Sequence, residues 1–342
     1  MKKNPYRILL LIAASIMLQA FIPVFGQDIH YSQFINSPHN LNPALTGDFN
    51  GDYRFIGNGR RQWNSVTVPY ETFSLASDAR NFFESKHTGA GIMMNHDKTG
   101  DSKLTTFQLN ISLSKGFALD RKKEKHLIRL GIQTGFTQKR IDYSALTYDN
   151  QYNGTAFDPS APSNESFGNS GRIYPNFHAG ITYTKVISRT RLVRTGFSIY
   201  NINRPEQSFF NEVTVMLDRR FNFHINGEFD MNPQLDILPG LLIMQQGRYH
   251  QTTLGTNFRY KIDQRKRHYR ALYAGIWTRA RDAGFVTFGM DYNNVHASIS
   301  YDINYSRLTR ASHGRGGVEI SVIYIISKTP KRRTFKQCPV FL

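Results

Sequence analysis

From about Asp52 to Ser327 the chain alternates apolar and polar residues with a period of two, in segments of roughly ten residues separated by turns. Successive strand side chains point to opposite faces, so each segment sets one face against an apolar medium and the other against a wet one. The clearest case has Phe221, Phe223, Ile225, Gly227, Phe229 and Met231 on one face and Asn222, His224, Asn226, Glu228 and Asp230 on the other. A soluble sandwich packs its inner faces together and would not keep one so polar. A barrel in a bilayer turns the apolar face out to lipid and the polar face in to its lumen.

The segments predict about fourteen strands, the first near 52–61 and the last near 315–327, with no compositional break along 342 residues. The expected fold is therefore all-β: one transmembrane antiparallel β-barrel at 52–327, with the even strand number of single-chain bacterial outer-membrane barrels. A mean hydropathy of -0.44 argues against helical spans but not against a barrel, whose lumen-facing residues dilute its lipid-facing ones. The 25 Phe and 18 Tyr suit the aromatic girdles at the two membrane interfaces.

The start of the chain sets the expected compartment. Lys2, Lys3 and Arg7 precede an apolar run from Ile8 to Phe25 that closes on Gly26-Gln27, so residues 1–26 read as a secretory signal peptide. Removing three basic residues and no acid lowers the formal charge from +18 to +15. The location this implies is the outer membrane of a Gram-negative bacterium, in contact with its lipid and lipopolysaccharide. The single cysteine, Cys338, rules out an internal disulfide framework and lies in a basic tail, 328–342, expected on the periplasmic side.

Turn lengths give the barrel an orientation. If the first strand starts in the periplasm, the connections 120–125, 188–191, 232–234, 263–268 and 293–294 are periplasmic and all brief, whereas 139–175, 202–216 and 306–314 are outer loops and the longest. The inner turns are basic, as in Arg265, Lys266 and Arg267. Such a rim either steers an acidic periplasmic partner or merely keeps the turns solvated. Nucleic acid is not an expected partner, because no recognition module is visible.

Residues 27–51 do not read as strand. Turn formers around Leu41, Ala44 and Leu45, with Tyr31 and Phe34 nearby, suit a compact N-terminal plug in the barrel mouth. Arg60, Arg61, Gln62 and Trp63 form the most notable polar cluster: two guanidiniums beside an indole suit an anion, or an interface girdle meeting lipopolysaccharide phosphates, the reading we favour. No catalytic motif stands out, and neither a cofactor nor a metal is expected. His296-Ala297-Ser298 reads as two lumen-face polar residues, and Asp97-Lys98-Thr99-Gly100-Asp101 as a turn rather than a calcium loop.

The stretch Tyr31-Ser32-Gln33-Phe34, then Leu41-Asn42-Pro43-Ala44-Leu45-Thr46-Gly47, then Arg60-Arg61-Gln62-Trp63 with Pro69-Tyr70, resembles the opening of the PorP/SprF family. Pro175–Ile181, Gly196–Pro205, Tyr301-Asp302-Ile303 and Gly317–Val322 resemble later strands of that family. Residues 315–319 depart from it, with Arg-Gly-Gly-Val-Glu where a Gly-Ser-His-Glu-like run is expected. The resemblance implies a fatty-acid-transporter-like barrel of fourteen strands, associated with type IX secretion and gliding motility. It also implies partnership with periplasmic parts of that machine or with a large secreted adhesin. On these grounds Tyr31, Gln33, Asn42, Pro43 and Gly47, with Arg60, Arg61, Trp63 and the rim residues 265–267, are the expected partner-binding positions. A channel for hydrophobic small molecules is the alternative.

Overall fold

The computed structural model describes residues 28–62, 68–100, 102–120, 124–165, 168–188, 190–210, 212, 214–265, 268–306 and 309–327. Fourteen strands run β1 (Tyr53–Gln62), β2 (Tyr70–Arg80), β3 (Thr88–Thr99), β4 (Leu104–Ala118), β5 (His126–Arg140), β6 (Gly171–Val186), β7 (Leu192–Tyr200), β8 (Arg220–Asp230), β9 (Leu235–Gln246), β10 (Tyr249–Arg265), β11 (His268–Arg279), β12 (Ala283–Tyr292), β13 (Val295–Asn304) and β14 (Arg315–Ile326). Each pairs antiparallel with its sequence neighbours, and β1 closes on β14 from Tyr53↔Ile326 to Arg61↔Val318, leaving no free edge. The signal-peptide segment, Cys338 and the basic tail 328–342 lie outside the described residues.

The alternation sorts as a membrane barrel requires. On β4, Ile111 and Leu113 face outward, 56% and 48% exposed, while Asn110, Ser112 and Ser114 are buried inward. The long connections 141–170, 201–219 and 305–314 gather at one end, here the far end. The chain enters β1 and leaves β14 at the other, the near end.

The largest departure from the expected boundaries is at β6, expected from 176, which begins at Gly171, five residues early. Its first half pairs only with β5, since β7 joins from Ala179 onward. Pro175, which breaks the alternation in sequence, therefore sits where no β7 carbonyl needs its missing N–H.

Candidate functional site

Residues 28–48 run through the lumen from the far end to the near end. At the top, the Asp28 N–H donates to Gln246 Oε1 at 2.9 Å and its carboxylate accepts from Asn201 Nδ2 at 2.6 Å. At the bottom, the Gly47 N–H donates to Asp78 at 2.6 Å. Between them the backbone folds into three single turns, Phe34–Asn36, Pro38–Leu41 and Pro43–Leu45. Proline opens the last two, where its missing N–H costs nothing, and the Asn42 side chain caps the third by accepting from Ala44 N–H at 2.9 Å.

Short turns leave many backbone groups without local partners, and buried groups need partners. Barrel side chains supply them at two ionic anchors. In the far anchor, Glu319 accepts the N–H groups of Ser32 and Gln33, each at 2.8 Å, and Asp302 accepts the Ser32 hydroxyl at 3.0 Å. Arg60 donates to the His30 carbonyl at 2.7 Å, while Arg279 donates to Ser32 Oγ at 2.5 Å and to Asp302 at 3.0 Å.

In the near anchor, Asp78 holds Arg54 at 2.7 Å, and Arg54 in turn donates to the Leu45 carbonyl at 3.1 Å. Arg129 donates to the carbonyls of Ala44 and Thr46 at 3.2 and 2.9 Å. The plug's own His39 is buried 3.9 Å from Asp78, and neither ring nitrogen has a hydrogen-bond partner. Burial pushes its pKa down to about 4, which leaves it neutral.

Between the anchors the fit is steric. A Cβ on Gly131 would collide with the backbone of Pro43 and Ala44, one on Gly180 with the Asn42 amide, and one on Gly89 with the Thr46 carbonyl. Glycine at these inward positions lets the plug lie directly on the wall, by its backbone at Gly89 and Gly131 and by the Asn42 side chain at Gly180. Asn42 then donates to the carbonyls of Ile181 and Phe197 at 3.1 and 3.2 Å, and Ser198 and Asn222 both donate to the Leu41 carbonyl.

The plug residues singled out from sequence, Tyr31, Gln33, Asn42, Pro43 and Gly47, thus come together inside the lumen. Tyr31 shares a 2.5 Å hydrogen bond with Ser74, and Gln33 Oε1 accepts from Ser298 at 2.6 Å. Arg60 and Arg61 do not form the expected pair, because adjacent strand positions face opposite sides. Arg60 is 5% exposed in the far anchor and does not belong to an interface girdle; Arg61 faces outward and meets Glu71 at 3.3 Å. Trp63, Lys266 and Arg267 lie outside the described residues. Arg265 pairs with Asp263 of the same turn at 2.6 and 3.0 Å.

Sequence reading missed Arg54, Asp78, Arg129, Arg279, Asp302 and Glu319, and with them the lumenal glycines. Their available signal was a charge, or no side chain at all, at inward positions of strands whose other inward residues are small and polar. Glu319, the glutamate that closes the run at 315–319, holds the plug by accepting from the Ser32 and Gln33 N–H groups.

The plug does not fill the whole lumen. Under residues 32–36, against β10 to β14, lies a cavity of about 350 Å³ lined by Phe34, Trp277 and Phe285, by Ile323 and Ile325, and by polar groups at its near-end rim. Trp277 stacks on Phe285 at 6.0 Å and donates to Asn257 at 3.0 Å. His296 and Tyr273 both hydrogen-bond Asp291, at 2.7 and 2.6 Å, and Ser298 is taken up by the plug amides of Gln33 and Asn36.

Among solved structures the barrel is similar to the toluene transporter TbuX of Ralstonia pickettii, at 11% identity and TM-score 0.49, covering 83% of this chain and 91% of that one. It is also similar to the monoaromatic hydrocarbon channel CymD, at 10% identity and TM-score 0.49, covering 86% and 93%. The toluene transporter TodX of Pseudomonas putida gives 11% identity and TM-score 0.48, covering 82% and 90%. No curated protein matches the sequence. The type IX secretion system membrane protein family PorP/SprF matches residues 24–324, which takes in the plug and almost the whole barrel. With its opening motif seated in the lumen and its strands closed around it, the chain belongs to the PorP/SprF family of type IX secretion system membrane proteins.

Proposed function

We propose that the chain is a non-enzymatic outer-membrane component of the type IX secretion and gliding machinery, one that helps export a large cargo protein such as an adhesin or hold it at the surface. The near end then faces the periplasm and the far end the cell exterior. The observation that carries this reading is the plug: a lumen occupied from Asp28 to Gly47 and anchored at both ends suits a rigid platform better than a conduit. Periplasmic secretion components would meet the near-end turns and the cavity, and cargo would meet the loops at 141–170 and 201–219. Ser298 donates to Gln33 of the plug at 2.6 Å rather than to His296, so this pair does not form an activated serine.

The alternative, a hydrophobic-solute channel, draws its support from the aromatic cavity beneath the plug. Deleting the gene separates the two. Loss of surface display of a large secreted protein, with small-solute uptake intact, is the outcome expected here; normal display with impaired uptake would favour the channel.

A further inference from the structure

We propose that the outward faces of β1 to β5 form a docking site for a phosphorylated, multi-acyl glycolipid of the outer leaflet. Strand pairing places Arg61, Glu71, Lys98, Thr105 and Arg140 side by side on one outward rung near the far end. All three cations are exposed, and the one acid of the rung, Glu71, meets Arg61. With strands about 4.8 Å apart, the cations fall about 10 Å from one another along the rung. On β6 to β14 the outward strand positions among the described residues carry Lys185, Arg265 and Arg270 at the near end and only Arg315, on β14 beside β1, at the far end. The outward far-end cations on the strands thus gather on one side of the barrel, from β14 through β1 to β5.

The same strands carry an apolar groove of about 550 Å³ on the lipid-facing surface. Its floor is Gly57 and Ser77, sunk between Phe55, Leu75, Val322 and Tyr324. Gly57 lies four residues below Arg61, roughly 13 Å along the strand, so the groove sits at acyl depth beneath a row of cations at headgroup depth. A groove in this belt excludes water and must be filled by apolar chains. The charge above it selects an anionic headgroup, and cations spread over four strand spacings, about 19 Å, suit a broad phosphorylated glycolipid better than a single-phosphate, two-chain phospholipid.

This inference rests on the orientation proposed above, so its test reads the two separately. The full chain, purified from cells in mild detergent, is examined by native mass spectrometry for bound lipid. A Cβ at Gly57 would meet only Leu75 Cδ2, at 3.7 Å, so Gly57→Leu fills the groove without disturbing the backbone. Gly57→Leu, and separately the triple variant Arg61→Ala, Lys98→Ala, Arg140→Ala, should each lower bound glycolipid at least about fivefold, a loss of about 1 kcal/mol of affinity. The near-end control Lys185→Ala with Arg270→Ala should retain it. Glycolipid missing from the parent chain, phospholipid in its place, or equal binding in all variants would overturn the site. Orientation is read by labelling Ser160→Cys, in a Cys338→Ser background, on intact cells. Labelling there together with absent glycolipid sinks the lipid site alone, whereas labelling only after lysis sinks both.

Discussion

The two sides of the lumen treat the plug differently. Along β3 to β7 the wall offers glycine at Gly89, Gly131, Gly180 and Gly196, and the plug lies close against it, backbone on backbone at Gly89 and Gly131 and through the Asn42 side chain at Gly180 and Gly196. Along β10 to β14 the wall offers Tyr273, Trp277 and Phe285; there the plug is held by charged groups and by Phe34, which packs edge-on against Trp277 at 5.6 Å, with a cavity below. One side is a mould and the other a tether. A mould tolerates no added volume, whereas a tether with a void beside it tolerates much.

The largest effect should come from adding volume to the mould. Gly131→Val puts side-chain atoms into the space of Pro43 and Ala44, and we expect the plug to leave the lumen, at a cost of about 4 kcal/mol or more. Limited proteolysis of the detergent-solubilised chain should then cleave within 28–48 while the barrel stays intact; a protected segment would mean that the wall yields.

Asp78→Asn tests the near anchor without changing its size. It leaves Arg54 buried without a counter-ion, and the expected loss of plug protection corresponds to roughly 3 kcal/mol. Full protection would show that the carbonyl of Leu45 suffices to hold the guanidinium.

Acid should loosen the same region. His39 has a pKa of about 4 when docked against 6.5 when free, so the undocked state takes up the proton first. Docking is at full strength above about pH 6.5 and weakens as pH falls towards 4, by about 2 kcal/mol at pH 5. His39→Asn should flatten that pH profile of protease protection, and an unchanged profile would remove His39 as its cause.

The smallest effect belongs to the tethered side. Ile35 is 36% exposed and borders the cavity, so Ile35→Ala should cost under about 1 kcal/mol and leave protection nearly unchanged. A large loss would mean that both sides are moulds.

The barrel was legible in the sequence because a period of two survives wherever one face meets lipid, as on β4 and β8. The plug was legible as an element, from Asn42-Pro43 and its apolar neighbours, but its partners were not. Nothing local links Ser32 to Glu319 or Gly47 to Asp78, because those contacts are made only when β14 closes on β1 and β2 pairs beside it. Arg60 and Arg61 show the converse: adjacency suggested one cluster, and the strand pleat separated it into a lumenal anchor and a membrane-facing charge.

Ion conductance in a planar bilayer tests the plugged lumen most directly. The parent chain should show little steady conductance, and Gly131→Val should open a stable pore. A parent chain that conducts as well as the variant would contradict a lumen closed by residues 28–48.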